Sequence, residues 1–185
     1  MDEQMKELIT YNYFEAFTPS DIEDFVPYFD SSDIYLYRQF RIPEAVIACT
    51  KSHFYIWKKS IAGDENILVL EDDAQFINEL AVKAFQQLKL PEEFDIFYLD
   101  GNLVGEPLRI IRPVGFHFSH SYIVSPHGAA ILINEVERNG FKRAVDWQIF
   151  DMQPKRLCAY ALSVPLFRQS AGDSAISAFQ DQHSF

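Results

Sequence analysis

Ile67-Leu68-Val69-Leu70 is an uninterrupted aliphatic run that closes on three acids, Glu71, Asp72 and Asp73. Four consecutive apolar side chains without alternation form the pattern of a strand covered on both faces, as at the centre of an α/β sheet. The run therefore predicts a central strand and sets three carboxylates at its carboxyl end, where open α/β sheets hold their ligands. Adjacent carboxylates repel one another, and either hydration or an oxygen-seeking cation such as Mg²⁺ or Mn²⁺ relieves that repulsion. Two outcomes fit: a divalent site, or a solvated turn in which Asp72 or Asp73 serves as a cap.

The surrounding sequence supplies the rest of an α/β pattern. Upstream, "IPEAVIACTKSHFYIWKKSI" predicts a helix with Val46, Cys49, Thr50, His53 and Trp57 on one face and Lys51, Lys58 and Lys59 elsewhere, broken at Gly63-Asp64-Glu65-Asn66. "TPSDIEDFVPYF" reads as a short capped helix. Downstream, "INELAVKAFQQLKL" predicts a helix ending near Pro91, and "FDIFYLDGN" a second central strand ending in Asp100. Tyr122-Ile123-Val124 follows as a strand, with Ser125 as cap, Pro126 opening a helix and Asn139-Gly140 closing it. A last strand is expected near Leu157 to Leu162. Strand, helix, strand implies parallel units, in one domain over residues 1–185 without repeats or long linkers.

Composition narrows the function. Of 185 residues, 48% are hydrophobic and 15% aromatic, enough for a full core. Sixteen basic against 27 acidic residues give a net charge of −11, which repels a phosphate backbone and argues against a nucleic-acid partner. A nucleotide diphosphate is still accessible where a cation stands between carboxylates and phosphates. No stretch approaches the roughly 20 apolar residues of a membrane span, and the charged opening "MDEQMKELITYNYF" is unlike a signal peptide, so a soluble cytoplasmic protein is expected. Cys49 and Cys158 lack metal or disulfide spacing and are expected to be reduced core residues.

Taken in order, "ACTKSHFYIWKKSI", "ILVLEDDAQF", "FDIFYLDGN", "SYIVSPHGAAIL" and "VDWQIFD" resemble glycosyltransferase family 25, the group of lipooligosaccharide-biosynthesis and procollagen galactosyltransferases. The family's marks are a G-C-x-x-S-H helix, an E-D-D strand end, a Y-I-x-S-x-x-G-A segment and a V-D pair, and the resemblance spans about Phe14 to Ile176. Glu71, Asp72 and Asp73 match the acidic mark; Cys49, Ser52 and His53 the helix mark; Tyr122, Ser125, Gly128 and Ala129 the third; and Asp146 the last. Two departures are visible. The family's opening I-N-L…R…R strand has no counterpart in residues 1–13, and its Gly-Glu before the cysteine is replaced in "PEAVIAC".

The resemblance implies a reduced GT-A-like (Rossmann-like), mostly parallel sheet flanked by helices. It also implies an inverting, Mn²⁺- or Mg²⁺-dependent hexosyltransferase, moving sugar from a UDP-sugar to a glycan, lipid-linked sugar or protein. On that reading Asp73 is the metal ligand, with Glu71 a second ligand or its support. Asp72 contacts ribose, Ser52 and His53 contact the donor, and Asp146 is the base with Asp100 in reserve. Each has a structural alternative: His53 as a hydrogen-bonded core histidine, and Asp146 as cap of a helix beginning near Trp147. His117 or His120 is a candidate further metal ligand, and His127 has no assigned role. The alternative function is a non-catalytic nucleotide- or carbohydrate-binding remnant. Phosphoryl transfer finds no Gly-rich phosphate loop.

Overall fold

A computed structural model of the chain describes residues 12–29, 44–101, 107–112, 119–153 and 156–169. Seven strands are described: β1 Ile67–Leu70, β2 Ala74–Phe76, β3 Ile96–Tyr98, β4 Ile110–Ile111, β5 Ser121–Val124, β6 Ala159–Leu162 and β7 Phe167–Gln169. Four α-helices accompany them: α1 Glu44–Gly63, α2 Glu79–Gln86, α3 Pro126–Asn139 and α4 Val145–Met152. The expected capped helix over "TPSDIEDFVPYF" is instead two 3-10 turns, Pro19–Asp21 and Val26–Tyr28. Pro27 has no amide hydrogen to extend the first turn into a continuous helix.

The main sheet has the order β1-β5-β3-β6-β4 and is mixed. The β3–β6 pair is parallel, while β1–β5, β3–β5 and β4–β6 are antiparallel. This corrects the expected mostly parallel sheet. β1 and β3 do run the same way, as a strand-helix-strand unit requires, but β5 enters between them in the opposite direction. β1 is correspondingly at an end of the order rather than its centre, and only Val69 of its four residues is fully buried. Its unbroken apolar character still reflects cover on both faces: Ile67 and Val69 pack on one core cluster, Leu68 and Leu70 on another.

Period-two alternation divides the sheet between those clusters. Ile96, Tyr98, Tyr122, Val124 and Ala161 face α1, α3 and α4; Phe97, Leu99, Ile123 and Leu162 face the layer of α2 and the β2–β7 ribbon. Trp57 and Phe54 from α1 join Phe25, Phe29 and Phe141 in an aromatic cluster above the first face. Lys51, expected off the buried face, is nevertheless buried, its ammonium bonded to Asp24 at 2.6 Å and 4.3 Å above the Phe17 ring. The helix ends at the predicted place, with Asp64 rather than Gly63 taking the left-handed conformation (φ 50°).

The Ser125 to Gly140 helix follows its sequence signals closely. Ser125 Oγ accepts from the Gly128 amide at 3.0 Å, Pro126 opens the helix, and Gly140 (φ 68°) closes it. Gly128 also permits close packing of α3 on the start of β3, since a Cβ there would stand 2.3 Å from the Asp95 carbonyl oxygen. Backbone cannot yield as a side chain can, so Gly128→Ala should lower unfolding free energy by about 1–3 kcal/mol, the usual range of overpacking. Denaturant melts of the two proteins measure this; an unchanged midpoint would contradict the packing described.

Candidate functional site

Because β1, β3 and β6 share a direction, their carboxyl ends reach one edge of the sheet and carry Glu71, Asp100 and Ser163 there. β5 runs against them, so its entry delivers Ser119 and His120 to the same edge. The register pairs Leu70 with Ser121 and Tyr98 with Tyr122, and the Glu71 amide donates to the His120 carbonyl at 3.0 Å. Gly101 follows Asp100 at a point where a Cβ would lie 2.4 Å from the Ser163 carbonyl carbon.

Glu71 turns toward α1. Its Oε1 accepts the Ser119 hydroxyl at 3.0 Å and lies 3.4 Å from His53 Nε2. On the far side of the ring, His53 Nδ1 is 2.8 Å from the Tyr122 hydroxyl, which also accepts the Trp57 indole N–H at 3.1 Å. Trp57 can only donate, so with a neutral imidazole Tyr122 donates to Nδ1 and the ring hydrogen sits on Nε2, facing Glu71. Burial opposes charge on His53, but Tyr122, Cys49 and Glu71 around the ring hold its pKa well above the ordinary histidine value. Burial likewise pushes Glu71 up; the facing His53 ring and the Ser119 hydroxyl, with the nearby His120, more than offset this and leave the carboxyl below its usual value.

The other acids have different surroundings. Asp100 is buried; its Oδ1 accepts the Gly101 amide at 3.0 Å, and its Oδ2 lies 2.9 Å from His120 Nε2, at ion-pair distance without hydrogen-bond alignment. Asp72 and Asp73 occupy the corners of the turn closed by the Ala74 amide on the Glu71 carbonyl at 3.0 Å. The cap of the following helix is Asn78, which accepts from the Ala81 amide at 2.9 Å. Asp72 is exposed. Asp73 is half-buried, and its Oδ1 is enclosed without a hydrogen-bond donor among the described residues. Burial, then the charges of Glu71 and Asp72, push the Asp73 carboxyl above its ordinary value.

Ser52 points away from this edge: its hydroxyl donates to the Ala48 carbonyl at 2.9 Å and accepts the Phe17 amide at 3.0 Å, tying the N-terminal segment to α1. Asp146 lies within the first turn of α4, which begins at Val145 after Ala144, so it is not the cap of a helix starting at Trp147. Carboxylates in a first turn favour the helix dipole. The Tyr98 hydroxyl, bonded by Gln153 Nε2 at 2.6 Å, is held protonated chiefly by burial, with a contribution from the Asp146 charge. His127 belongs to the opposite edge, 2.7 Å from Asp95. His117 lies outside the described residues, as does the segment of residues 1–11.

Ser119, the Asp100–His120 pair and the Cys49 thiol beside His53 were not assigned together from sequence. A parallel β5 would have carried Ser119 and His120 to the other edge. The signal available was the adjacency of Ser119-His120 to the Tyr122-Ile123-Val124 run, whose meaning depends on strand direction.

The family model of glycosyltransferase family 25 (LPS biosynthesis protein) matches residues 1–108. The chain belongs to this family. A comparison with curated proteins finds no match. The family-25 match takes in α1, β1 and β3, and with them His53, Glu71, Asp73 and Asp100. No helix among the described residues is long and apolar enough to cross a membrane.

The His53–Glu71 pair has a defined pH signature. Glu71, lowered from 4.5 by its partners, contributes stability that is present above that value and lost as pH falls through its folded pKa. His53, raised from 6.5, contributes stability present below that value and lost as pH rises through its folded pKa. The melting-temperature gap between wild type and Glu71→Gln should therefore be widest between pH 4.5 and 6.5 and narrow as pH falls through the folded Glu71 value or rises through the folded His53 value. A gap independent of pH would show that the pair is not ionised as described.

Proposed function

We propose that this chain is a metal-dependent hexosyltransferase that takes its sugar from a UDP-sugar and gives it, with inversion, to a glycan, a lipid-linked sugar or a protein. The observation that carries the reading is Asp73. In a chain of a glycosyltransferase family, a carboxylate oxygen at the carboxyl edge of the sheet is enclosed yet has no described donor. An enclosed carboxylate oxygen without a donor is costly, and a hard cation is a suitable partner for it. A GT-A-like arrangement is supported to the extent that β1, β3 and β6 run together and place their following residues at one edge.

Mn²⁺ or Mg²⁺ fits this donor set on Asp73. Glu71, held by His53 and Ser119, suits the role of support rather than ligand. When bound, the ion would offset the charge of the departing diphosphate. Asp72, exposed on the same turn, is available to the donor's ribose, and His53 acts on the donor side only through Glu71. Asp100, enclosed and shared between His120 and the Gly101 amide, suits positioning. Half-buried Asp146 suits the base. In the transfer step the acceptor hydroxyl oxygen bonds to the anomeric carbon while the bond from that carbon to the diphosphate breaks. The hydroxyl proton passes to the Asp146 carboxylate, and UDP leaves on the opposite face.

Turnover of a panel of nucleotide sugars with and without Mn²⁺ tests the reading, alongside calorimetry with UDP. Metal-dependent UDP binding with transfer supports it; binding without turnover favours the non-catalytic alternative, and no nucleotide binding under either condition removes both. Asp73→Asn should abolish metal-dependent transfer. Because the folded state raises the Asp73 pKa, its ionised form opposes folding above that pKa, and the metal-free variant should be at least as stable as wild type at neutral pH. Asp146→Asn should lower kcat by about 10²–10⁴ with UDP affinity retained. Loss of affinity together with kcat would instead assign Asp146 to structure.

A further inference from the structure

Cys49 and His53 stand one helical turn apart on α1, and the end of β1 brings Glu71 against both. One sulfur, one nitrogen and one oxygen atom of these residues lie within 4.8 Å of one another. The His53 Nε2 to Glu71 Oε1 separation is 3.4 Å. A charge-assisted hydrogen bond closes to about 2.7–2.9 Å, whereas nitrogen and oxygen ligands about 2.0–2.1 Å from a tetrahedral Zn²⁺ stand roughly 3.4 Å apart. The spacing is that of two vertices around an ion.

The surroundings have the form of an outer ligand shell. His53 Nδ1 is anchored 2.8 Å from the Tyr122 hydroxyl, Tyr122 is itself fixed by Trp57 at 3.1 Å, and Ser119 donates to Glu71 at 3.0 Å. Such bonds orient a ligating imidazole and carboxylate and are the usual accompaniment of protein metal ligands. Trp57 and Tyr122 are fully buried, so the frame is rigid. Thiolate, imidazole and carboxylate together suit Zn²⁺ and leave a fourth position for water, while Mn²⁺ and Mg²⁺ prefer oxygen alone.

We propose that Cys49, His53 and Glu71 form a site for a thiophilic divalent cation of the Zn²⁺ type, distinct from Asp73, that clamps α1 to the end of β1. On loading, the Cys49 thiol proton and the Nε2 proton of the charged His53 ring pass to solvent, and His53 coordinates through Nε2 while its Nδ1 hydrogen stays donated to the Tyr122 oxygen. The site stands independently of the transferase reading.

The test is titration of the full chain with Co²⁺, a spectroscopic substitute for Zn²⁺, in a Cys158→Ser background that leaves Cys49 as the one thiol. A thiolate-to-cobalt charge-transfer band should appear, be displaced by Zn²⁺, and vanish in Cys49→Ser. Zn²⁺ at about 100 times its dissociation constant should raise the melting temperature by roughly 5–10 °C, an increase that Cys49→Ser removes. Absence of the thiolate band, or its survival in Cys49→Ser, overturns the site. Cys49→Ser changes one atom of a partly buried side chain and leaves the packing of the fold in place. The band is read without substrate and should persist in Asp73→Asn. An inactive protein with a full band would thus count against the transferase reading alone, and an active one without the band against the Zn²⁺ site alone.

Discussion

The entry of β5 between β1 and β3, against the direction of both, determines which side chains meet at the carboxyl edge. Its backbone pairs with both neighbours, and the Glu71 amide extends the β1 ladder onto the His120 carbonyl. The same geometry carries Tyr122 to the interior of the sheet, facing α1, where its hydroxyl joins Trp57 to His53. A slip of one residue in that ladder would turn Tyr122 to the opposite face and leave His53 without its anchor.

Buried polar groups are tolerated here because most are shared. His53 and Glu71 offset each other's desolvation, Ser119 occupies a lone pair of the carboxylate, and Asp100 is divided between His120 and a backbone amide. Asp73 differs: an enclosed carboxylate oxygen beside two further negative charges, with no described donor. The contrast separates acids held by the fold from an acid whose enclosed oxygen has no described donor. Within one Glu-Asp-Asp run, the first residue is held by the protein, the second lies in solvent, and the third has one enclosed oxygen without a described donor.

Features governed by near neighbours in the chain were legible. α3 could be bounded because Ser125, Pro126 and Gly140 act within one turn of its ends, and the span of α1 followed from its spacing of apolar residues. The acids after β1 and the acid after β3 were correctly read as strand ends. Less legible was anything depending on which strands become neighbours. An aliphatic run packed on both faces looks the same at the edge of a sheet as at its centre, so the pattern alone does not fix the position of β1. Ser52 lies one residue from His53 but faces another direction around the helix, and it serves the Phe17 amide instead of the acidic edge.

By itself the sequence determined the local elements, the two-faced burial of the strands, the strand-end position of Glu71 and Asp100, and a motif order that identifies the family. Tertiary structure decided the mixed sheet, the joining of His53, Glu71, Ser119 and Tyr122, the pairing of Asp100 with His120, and the isolation of the Asp73 oxygen. The physical reason is range. Caps, turns and periodicity act over a few residues, whereas strand direction is chosen by the packing of the whole core, and that choice determines which end of β5 meets the acids.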